Sequence, residues 1–473
     1  MRLTSTTITQ AAAPVRFTFD GREVEALPGE TVAAALSAAG IVTFRRTPKD
    51  TPRGLWCGMG ACWDCVVTID GKAGQRACLT KAEAGMAVTG AVPAAPAPLA
   101  AVPEVIPERA CDVLVVGAGP AGLSAAIAAA RAGAATIVLD ERTEAGGQYL
   151  KPLAKSHAHA APDAQFRRGA ALLAEARDAG VTILHSATVW GGFAPDEIAA
   201  LVDGSAVTFR PRRLVLAPGA HERPVPVPGW TLPGVMTTGA LQTLARAQRV
   251  SPAGRVVIAG SGPLNLQLAC ELLAGGVEVA AVVEAAPRPG FGAWRDLLAM
   301  ARLSPDLAWD GFGYLARLKR AGVPVLWGSA ILACEGTDSF AALRVATPDG
   351  ERRIAAGVAA LNMGFQPETG LARALGCAQR FATDGPGAEA GRLETVADED
   401  GRTSVPGVFA VGDGAAIGGA RVALARGRLA GLAAAREIGL PAPDDATARR
   451  DLARALGFQR ALWRVFAAPA FDA

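Results

Sequence analysis

Residues 111–148 read CDVLVVGAGPAGLSAAIAAARAGAATIVLDERTEAGGQ. An apolar run of strand composition, 113–116, enters Gly117, Gly119 and Gly122 in G-x-G-x-x-G spacing, with Pro120 inside the loop. An alanine-rich helix follows. A second apolar run, 136–139, then stops at Asp140 and Glu141, and Gly146-Gly147-Gln148 makes a further glycine turn. Each part has a physical job. Gly117 permits the tight turn, Gly119 lets a pyrophosphate approach the backbone, and Gly122 lets helix and strand pack closely. The helix N-terminus faces the phosphates. Asp140 stands where an acid can take ribose hydroxyls, about 20 residues on. In this strand–turn–helix–strand–acid setting the glycines read as a dinucleotide site. The competing reading is a glycine turn in an empty α/β domain.

Working outward, residues 255–284, RVVIAGSGPLNLQLACELLAGGVEVAAVVE, repeat the architecture with Gly260, Gly262 and a terminal Glu284. Asn265 holds the third glycine position, where a side chain is expected to push helix and strand apart or crowd a pyrophosphate. Three readings stay open: NAD, favoured by Glu284 in its unphosphorylated form, another adenine nucleotide, or an empty site. Residues 407–435, GVFAVGDGAAIGGARVALARGRLAGLAAA, give a strand, Gly412-Asp413-Gly414 and a long helix. Asp413 can bond ribityl hydroxyls of a flavin, or act as a plain helix cap.

Upstream, residues 54–79 read GLWCGMGACWDCVVTIDGKAGQRACL. Cys57, Cys62, Cys65 and Cys78 fall as C-x4-C-x2-C-x12-C, the plant-type [2Fe–2S] spacing. Gly58 and Gly60 are expected to clear room for N–H groups approaching cluster sulfurs. Structural zinc more often shows two paired CxxC or CxxH elements, and a disulfide knot needs an oxidising compartment. The other cysteines, Cys111, Cys270, Cys334 and Cys377, are scattered and read as packing residues.

The 473 residues suggest roughly three domains. Hydrophobic content of 51% supports sizeable cores, and a net charge of +3 without a basic block argues against nucleic acid as a partner. Abundant alanine reads as codon bias. No stretch supplies the ~20 apolar residues of a membrane span, and the N-terminus shows no secretory signal. A reducing, cytoplasmic location follows as the default.

Expected boundaries are a β-rich ferredoxin-like domain at 1–90 and an Ala/Pro linker at 91–109 that separates independently folding units. A nucleotide-binding domain then occupies 110–245 and 359–438, with a second dinucleotide unit inserted at 246–358 and a helix and tail at 439–473. His221 and Arg223 lie in a proline-punctuated crossing and read as surface or structural residues more readily than flavin-facing ones. The two tyrosines, Tyr149 and Tyr314, form no Arg–Tyr carboxylate clamp in the sequence.

The two units, split as GAGPAG…GGQ and FAVGD, resemble the two-dinucleotide-binding flavoproteins of the thioredoxin reductase group, but without their redox CxxC. APGAHERPVPVPGWTLPGVMTTGALQ, GSGPLNLQLA and LNMGFQPETGLARALG are similar to α subunits of opine oxidase, hydrogen cyanide synthase, hydroxyproline dehydrogenase and heterotetrameric sarcosine oxidase. The GETVAAAL…CGMGACWDC…RACL stretch resembles the small ferredoxin-like subunit of those complexes, here fused to the flavoprotein.

The resemblance implies an α/β two-dinucleotide-binding flavoprotein behind a β-grasp [2Fe–2S] domain. FAD would be held by Gly117, Gly119, Pro120, Gly122, Asp140, Glu141, Gly147, Gln148, Gly412 and Asp413. The cluster would be held by Cys57, Cys62, Cys65 and Cys78. It also implies a D-amino-acid-oxidase-like partner subunit that oxidises the substrate, with FMN at the subunit interface and a quinone-type acceptor among the options. Many such α subunits continue into a cysteine-rich domain where this sequence stops, which leaves the onward electron route open. Two other classes remain: a self-contained NAD(P)H-dependent ferredoxin-type reductase, and a non-catalytic nucleotide-binding assembly subunit.

Overall fold

The computed structural model describes residues 1–10, 12–92, 105–224, 226–383 and 391–468. Most of the expected linker lies outside the described residues. Its end does not, because Glu108 and Arg109 already belong to strand Glu108–Val116.

The N-terminal domain starts with the hairpin Val15–Phe19/Arg22–Ala26. Its turn residues Asp20 and Gly21 both have positive φ, 48° and 78°, as a two-residue turn matched to strand twist requires. Ala87–Thr89, Val66–Ile69 and Lys72–Arg76 complete a five-stranded sheet. Helix α1, Val32–Ala38, is capped by Thr31, whose Oγ1 accepts the Ala34 N–H at 3.2 Å. This is the β-grasp arrangement.

The first nucleotide unit is a mixed sheet. Thr182–Leu184, Thr136–Leu139, Glu108–Val116 and Ser205–Leu216 run parallel, and Val408–Ala410 pairs with the last of them. Ala187–Ala194 and Glu197–Val202 extend it as an antiparallel meander. Helix α2, Pro120–Arg131, follows the glycine loop, and α3, Ala164–Asp178, comes later in the chain.

The second unit is a parallel sheet of Val235–Thr237, Val358–Asn362, Val256–Gly260, Val279–Glu284 and Val325–Trp327. It carries α4 (Thr238–Gln242), α5 (Pro263–Ala274), α6 (Trp294–Leu303) and α7 (Pro305–Arg320). Its sheet therefore begins before residue 246 and ends after 358. The three residues Val235–Thr237 are too short to show a strand period, so the expected edge falls too late.

Helix α8, Gly419–Glu437, lies against α2 at backbone contact. A Cβ on Gly427 would stand 2.1 Å from the Ala121 carbonyl oxygen, and one on Gly431 the same distance from that of Ala125. The alanine content is thus partly structural, because only small residues allow this approach. Helix α9, Ala446–Val465, buries Leu452 and Ala455 on α8, and Phe458 and Ala461 on α6.

The N-terminal domain is not separate. Phe17, Leu36 and Val67 share one apolar core with Met236, Leu241 and Leu244 of the second unit. The Thr237 N–H donates to the Trp56 carbonyl at 2.9 Å, and Trp56 meets Trp230 edge-on at 5.4 Å. Residues 1–10 cross over as well. Ile8–Gln10 pairs with His157–His159, and the Leu3 N–H reaches the Arg249 carbonyl. The expectation of independently folding units is corrected here: a composition-based linker cannot reveal an interface made of alternating core positions.

Candidate cofactor sites

The four cysteines come together as two pairs. The Cys62 thiol hydrogen-bonds Cys57 and, with N–H groups of Met59, Cys62 and Ala61, pulls the Cys57 thiol down to about 6 against the effect of burial. Cys78 pulls Cys65 down in the same way. Their partners Cys62 and Cys78 are pushed up. Among the described residues, no three or more His, Cys, Asp or Glu side chains converge as donors for one metal ion. Two thiol pairs fit two irons, each taking two sulfurs, better than one tetrahedral zinc.

The two loop glycines also let the loop pack against its neighbours. A Cβ on Gly58 would lie 2.8 Å from the Cα of Ala240 in α4, and one on Gly60 2.6 Å from Leu79 Cδ1. They let the loop pack, while the N–H groups of Met59, Ala61 and Cys62 face the sulfur.

The first glycine loop lines a cavity of about 1770 Å³. Gly117, Gly119, Pro120, Asp140, Glu141 and Gly147 are on its wall, as are Gln148, Gly412 and Asp413. Gly122 is not. A Cβ there would sit 1.8 Å from the Gly117 carbonyl oxygen, so its role is packing. Gly119 caps α2 without a side-chain bond, which leaves the first-turn N–H groups open to the cavity. A Cβ on Gly147 would fall 2.8 Å from the Gly119 Cα, so the two glycine turns form one narrow cradle. That cradle fits a pyrophosphate.

Asp140, expected to take ribose hydroxyls, lines the cavity with both carboxylate oxygens already engaged by backbone N–H groups. Its Oδ2 accepts the Ala118 N–H at 2.7 Å and its Oδ1 the Arg142 N–H at 2.9 Å. Glu141 is the neighbouring acid with its side chain open, 39% exposed. Asp413 Oδ1 accepts the N–H groups of Gly418 and Gly419 at 2.8 and 2.9 Å. Burial raises its pKa.

In the second unit, Gly262 lines the same cavity, but Gly260 and Glu284 do not. Glu284 is fully buried and accepts the Gly262 N–H at 3.0 Å and the Ala286 N–H at 2.9 Å. Its pKa is raised by burial. The expectation that Glu284 reads a ribose is thereby corrected: the carboxylate is a backbone staple. Asn265 does not crowd the loop either. It is buried, and its Oδ1 accepts the Thr238 hydroxyl at 2.8 Å.

Other cavity residues carry no mark in the sequence. Lys151 is buried just past the Gly-Gly-Gln turn and donates to Thr243 Oγ1 at 2.6 Å and Gln148 Oε1 at 3.3 Å. Burial pushes it down to about 7. Glu222 accepts the Gly239 N–H at 2.9 Å and the Asn362 amide at 2.6 Å, and burial pushes it up to about 7. A lone Lys or Glu gives no signal until tertiary packing buries it. His221 is on the wall, while Arg223 donates to the Gly391 carbonyl at 2.7 Å. Both tyrosines, Tyr149 and Tyr314, reach the cavity, as do Arg168 and Arg317. The scattered cysteines are all buried, as expected.

Comparison with known proteins fits this geometry. Residues 111–436 match the pyridine nucleotide-disulphide oxidoreductase family and residues 12–92 the 2Fe-2S iron-sulfur cluster binding domain. An opine oxidase subunit of Agrobacterium tumefaciens (strain Ach5) is 38% identical over 70% of this chain and 66% of its own length. Hydrogen cyanide synthase subunit HcnB of Pseudomonas protegens is 33% identical over 74% of each chain. The chain thus spans just under two thirds of the opine oxidase subunit it matches. The crystal structure of L-proline dehydrogenase from P. horikoshii superposes with a TM-score of 0.71 over 96% of this chain and 79% of that one, at 18% identity, which speaks to fold alone. This chain belongs to the pyridine nucleotide-disulphide oxidoreductase family, homologous to hydrogen cyanide synthase subunit HcnB and to an opine oxidase subunit, with a 2Fe-2S domain at its N-terminal side.

Proposed function

We propose that the chain is the FAD- and [2Fe–2S]-containing electron-transfer subunit of a multisubunit amine or amino-acid dehydrogenase or oxidase. Its donors would be CH–NH compounds of the opine, hydroxyproline or sarcosine kind. One observation carries the reading: the cysteine loop and the first glycine loop share a wall. Met59, Gly60, Ala61 and Trp63 line the same cavity as Gly117, Gly119 and Gln148. When bound, FAD supplies two-electron chemistry and the cluster supplies one-electron steps. The chain's residues bind and orient. The first turn of α2 offers N–H groups to a pyrophosphate, Glu141 offers a carboxylate to ribose, and Asp413 holds the start of α8 at the ribityl side. The four cysteines hold the irons.

The partner in this reading is a D-amino-acid-oxidase-like flavoprotein subunit, with FMN at the interface and a quinone as acceptor. A cytoplasmic location belongs to the same proposal. Among the described residues no helix is long and apolar enough to cross a membrane. A second reading, an NAD(P)H-dependent reductase, draws on Gly262 and Pro263 opening into the same cavity.

Anaerobic stopped-flow on the isolated chain tests both. Neither sarcosine, opines nor amino acids should bleach its flavin, and co-expression with a D-amino-acid-oxidase-like subunit should restore reduction. Cys62→Ser in that complex should remove the cluster's rhombic signal and impair dye or quinone reduction more than flavin reduction. Bleaching by an amine with no partner would sink the relay, and rapid bleaching by NADH would establish the second reading.

A further inference from the structure

Arg76 ends strand Lys72–Arg76 of the N-terminal domain, two residues before Cys78. Its guanidinium leaves that domain. Nη1 donates to the Gly60 carbonyl in the cysteine loop at 3.1 Å and to Glu141 Oε2 of the first nucleotide unit at 3.3 Å. The group lies 4.8 Å from the centre of the Trp63 ring. Trp63 itself sits between Cys62 and Cys65 with φ at 58°, a conformation costly for a bulky side chain. A Cβ on Gly60 would stand 3.0 Å from Arg76 Nη1, so glycine makes room for the guanidinium. Gly60, Trp63, Arg76 and Glu141 all face the shared cavity.

Glu141 matters because Asp140 is engaged. Both Asp140 oxygens already accept backbone N–H groups. At the end of the second strand of such a unit an acid takes the ribose hydroxyls. Glu141 is the acid with an oxygen to spare, and Arg76 grips its other oxygen.

We infer that Arg76 is a positioning residue of the first dinucleotide site, supplied by the cluster-bearing domain. It fixes the Glu141 carboxylate for the adenosine ribose and ties the cysteine loop to occupancy of that site. The inference rests on the reading that the first unit holds FAD and the loop holds the cluster. Fixing a flexible Glu before binding lowers the ordering cost at binding. Linkage makes the effect reciprocal: if the loop contact favours nucleotide, nucleotide steadies the loop.

The test uses the full chain, purified anaerobically, stripped of FAD and titrated with it while flavin fluorescence is followed. Arg76→Ala should weaken FAD binding about 3- to 10-fold, the range for a partly exposed charge-assisted contact. Arg76→Lys should recover part of the loss. Arg76→Ala with Glu141→Ala should bind no more weakly than Glu141→Ala alone, which a merely structural role would not produce. At wavelengths beyond the flavin bands, the circular dichroism of the cluster should differ between FAD-loaded and FAD-free wild type and coincide in Arg76→Ala. Should Arg76→Ala lose iron, Arg76→Lys and Glu141→Gln carry the same comparison. Wild-type affinity in variants that keep their iron would overturn the inference while leaving the FAD reading intact. A wild-type chain that binds no FAD would overturn that reading and the inference with it.

Discussion

The two dinucleotide units use the same staple and differ one residue later. In the first, Asp140 bonds the Ala118 and Arg142 N–H groups; in the second, Glu284 bonds those of Gly262 and Ala286. Each acid ties the end of its strand to its own glycine loop. The next residue is Glu141 in the first unit, open to the cavity, and buried Ala285 in the second. A fingerprint acid can therefore be a structural part of the loop, with ligand reading moved to its neighbour. By this measure the first unit keeps a carboxylate for a ribose and the second does not.

The largest way to stress the comparison is to fill the glycine cradles. Gly122→Ala would put a Cβ 1.8 Å from the Gly117 carbonyl, and Gly260→Ala 1.7 Å from that of Asn362. Each should cost at least about 4 kcal/mol in denaturant unfolding, the exceptional range for backbone strain. Gly122→Ala should also lose flavin on gel filtration, while any folded Gly260→Ala fraction should retain it. Equal flavin loss in both would mean that the second unit takes part in flavin binding.

A smaller effect separates staple from reader. Asp140→Ala and Glu284→Ala each strand two N–H groups and should cost ~1.5–3 kcal/mol of stability. Glu141→Ala should stay within about 0.5 kcal/mol of wild type, as exposed substitutions do. Its FAD affinity should nonetheless fall about tenfold, for one lost charge-assisted bond. Denaturant melts beside FAD titrations check both halves. A Glu141→Ala chain with unchanged affinity would return the ribose to Asp140.

The smallest effect is a slope. Lys151 titrates near 7 in the folded chain against an ordinary 10.5, because burial disfavours its charge. Between those values the unfolded chain binds the extra proton, so stability should rise with pH from about 7 upward. Glu222 titrates near 7 against an ordinary 4.5, again through burial. There the folded chain holds the extra proton, so stability should fall as pH climbs from about 4.5 to 7. Either slope is at most ~1.4 kcal/mol per pH unit. Chemical melts of the FAD-free chain should show a minimum near pH 7. Lys151→Met should flatten the alkaline side and Glu222→Gln the acid side.

The elements and the types of cofactor site are legible in the residues alone. Gly117, Gly119 and Gly122 between two apolar runs, and four cysteines at plant-type spacing, are local patterns. Their chemistry depends on backbone freedom and ligand reach over short distances. The glycine turns, the hairpin at Asp20-Gly21 and the cysteine loop follow from such patterns. Which acid keeps an oxygen to spare does not, since Asp140 and Glu141 are adjacent and both line the cavity, and only the fold shows that backbone N–H groups take both Asp140 oxygens. Packing spends Glu284 on its own loop and buries Lys151 and Glu222. It brings Arg76 across from another domain, 65 residues from Glu141 in sequence. It also seats the proline-rich crossing against Trp56 and the last helix against α6. The physical reason is common to all of these. Burial and charge pairing depend on the whole packed core, and Leu241 and Leu244 join the N-terminal domain to the second unit through contacts that no local period records.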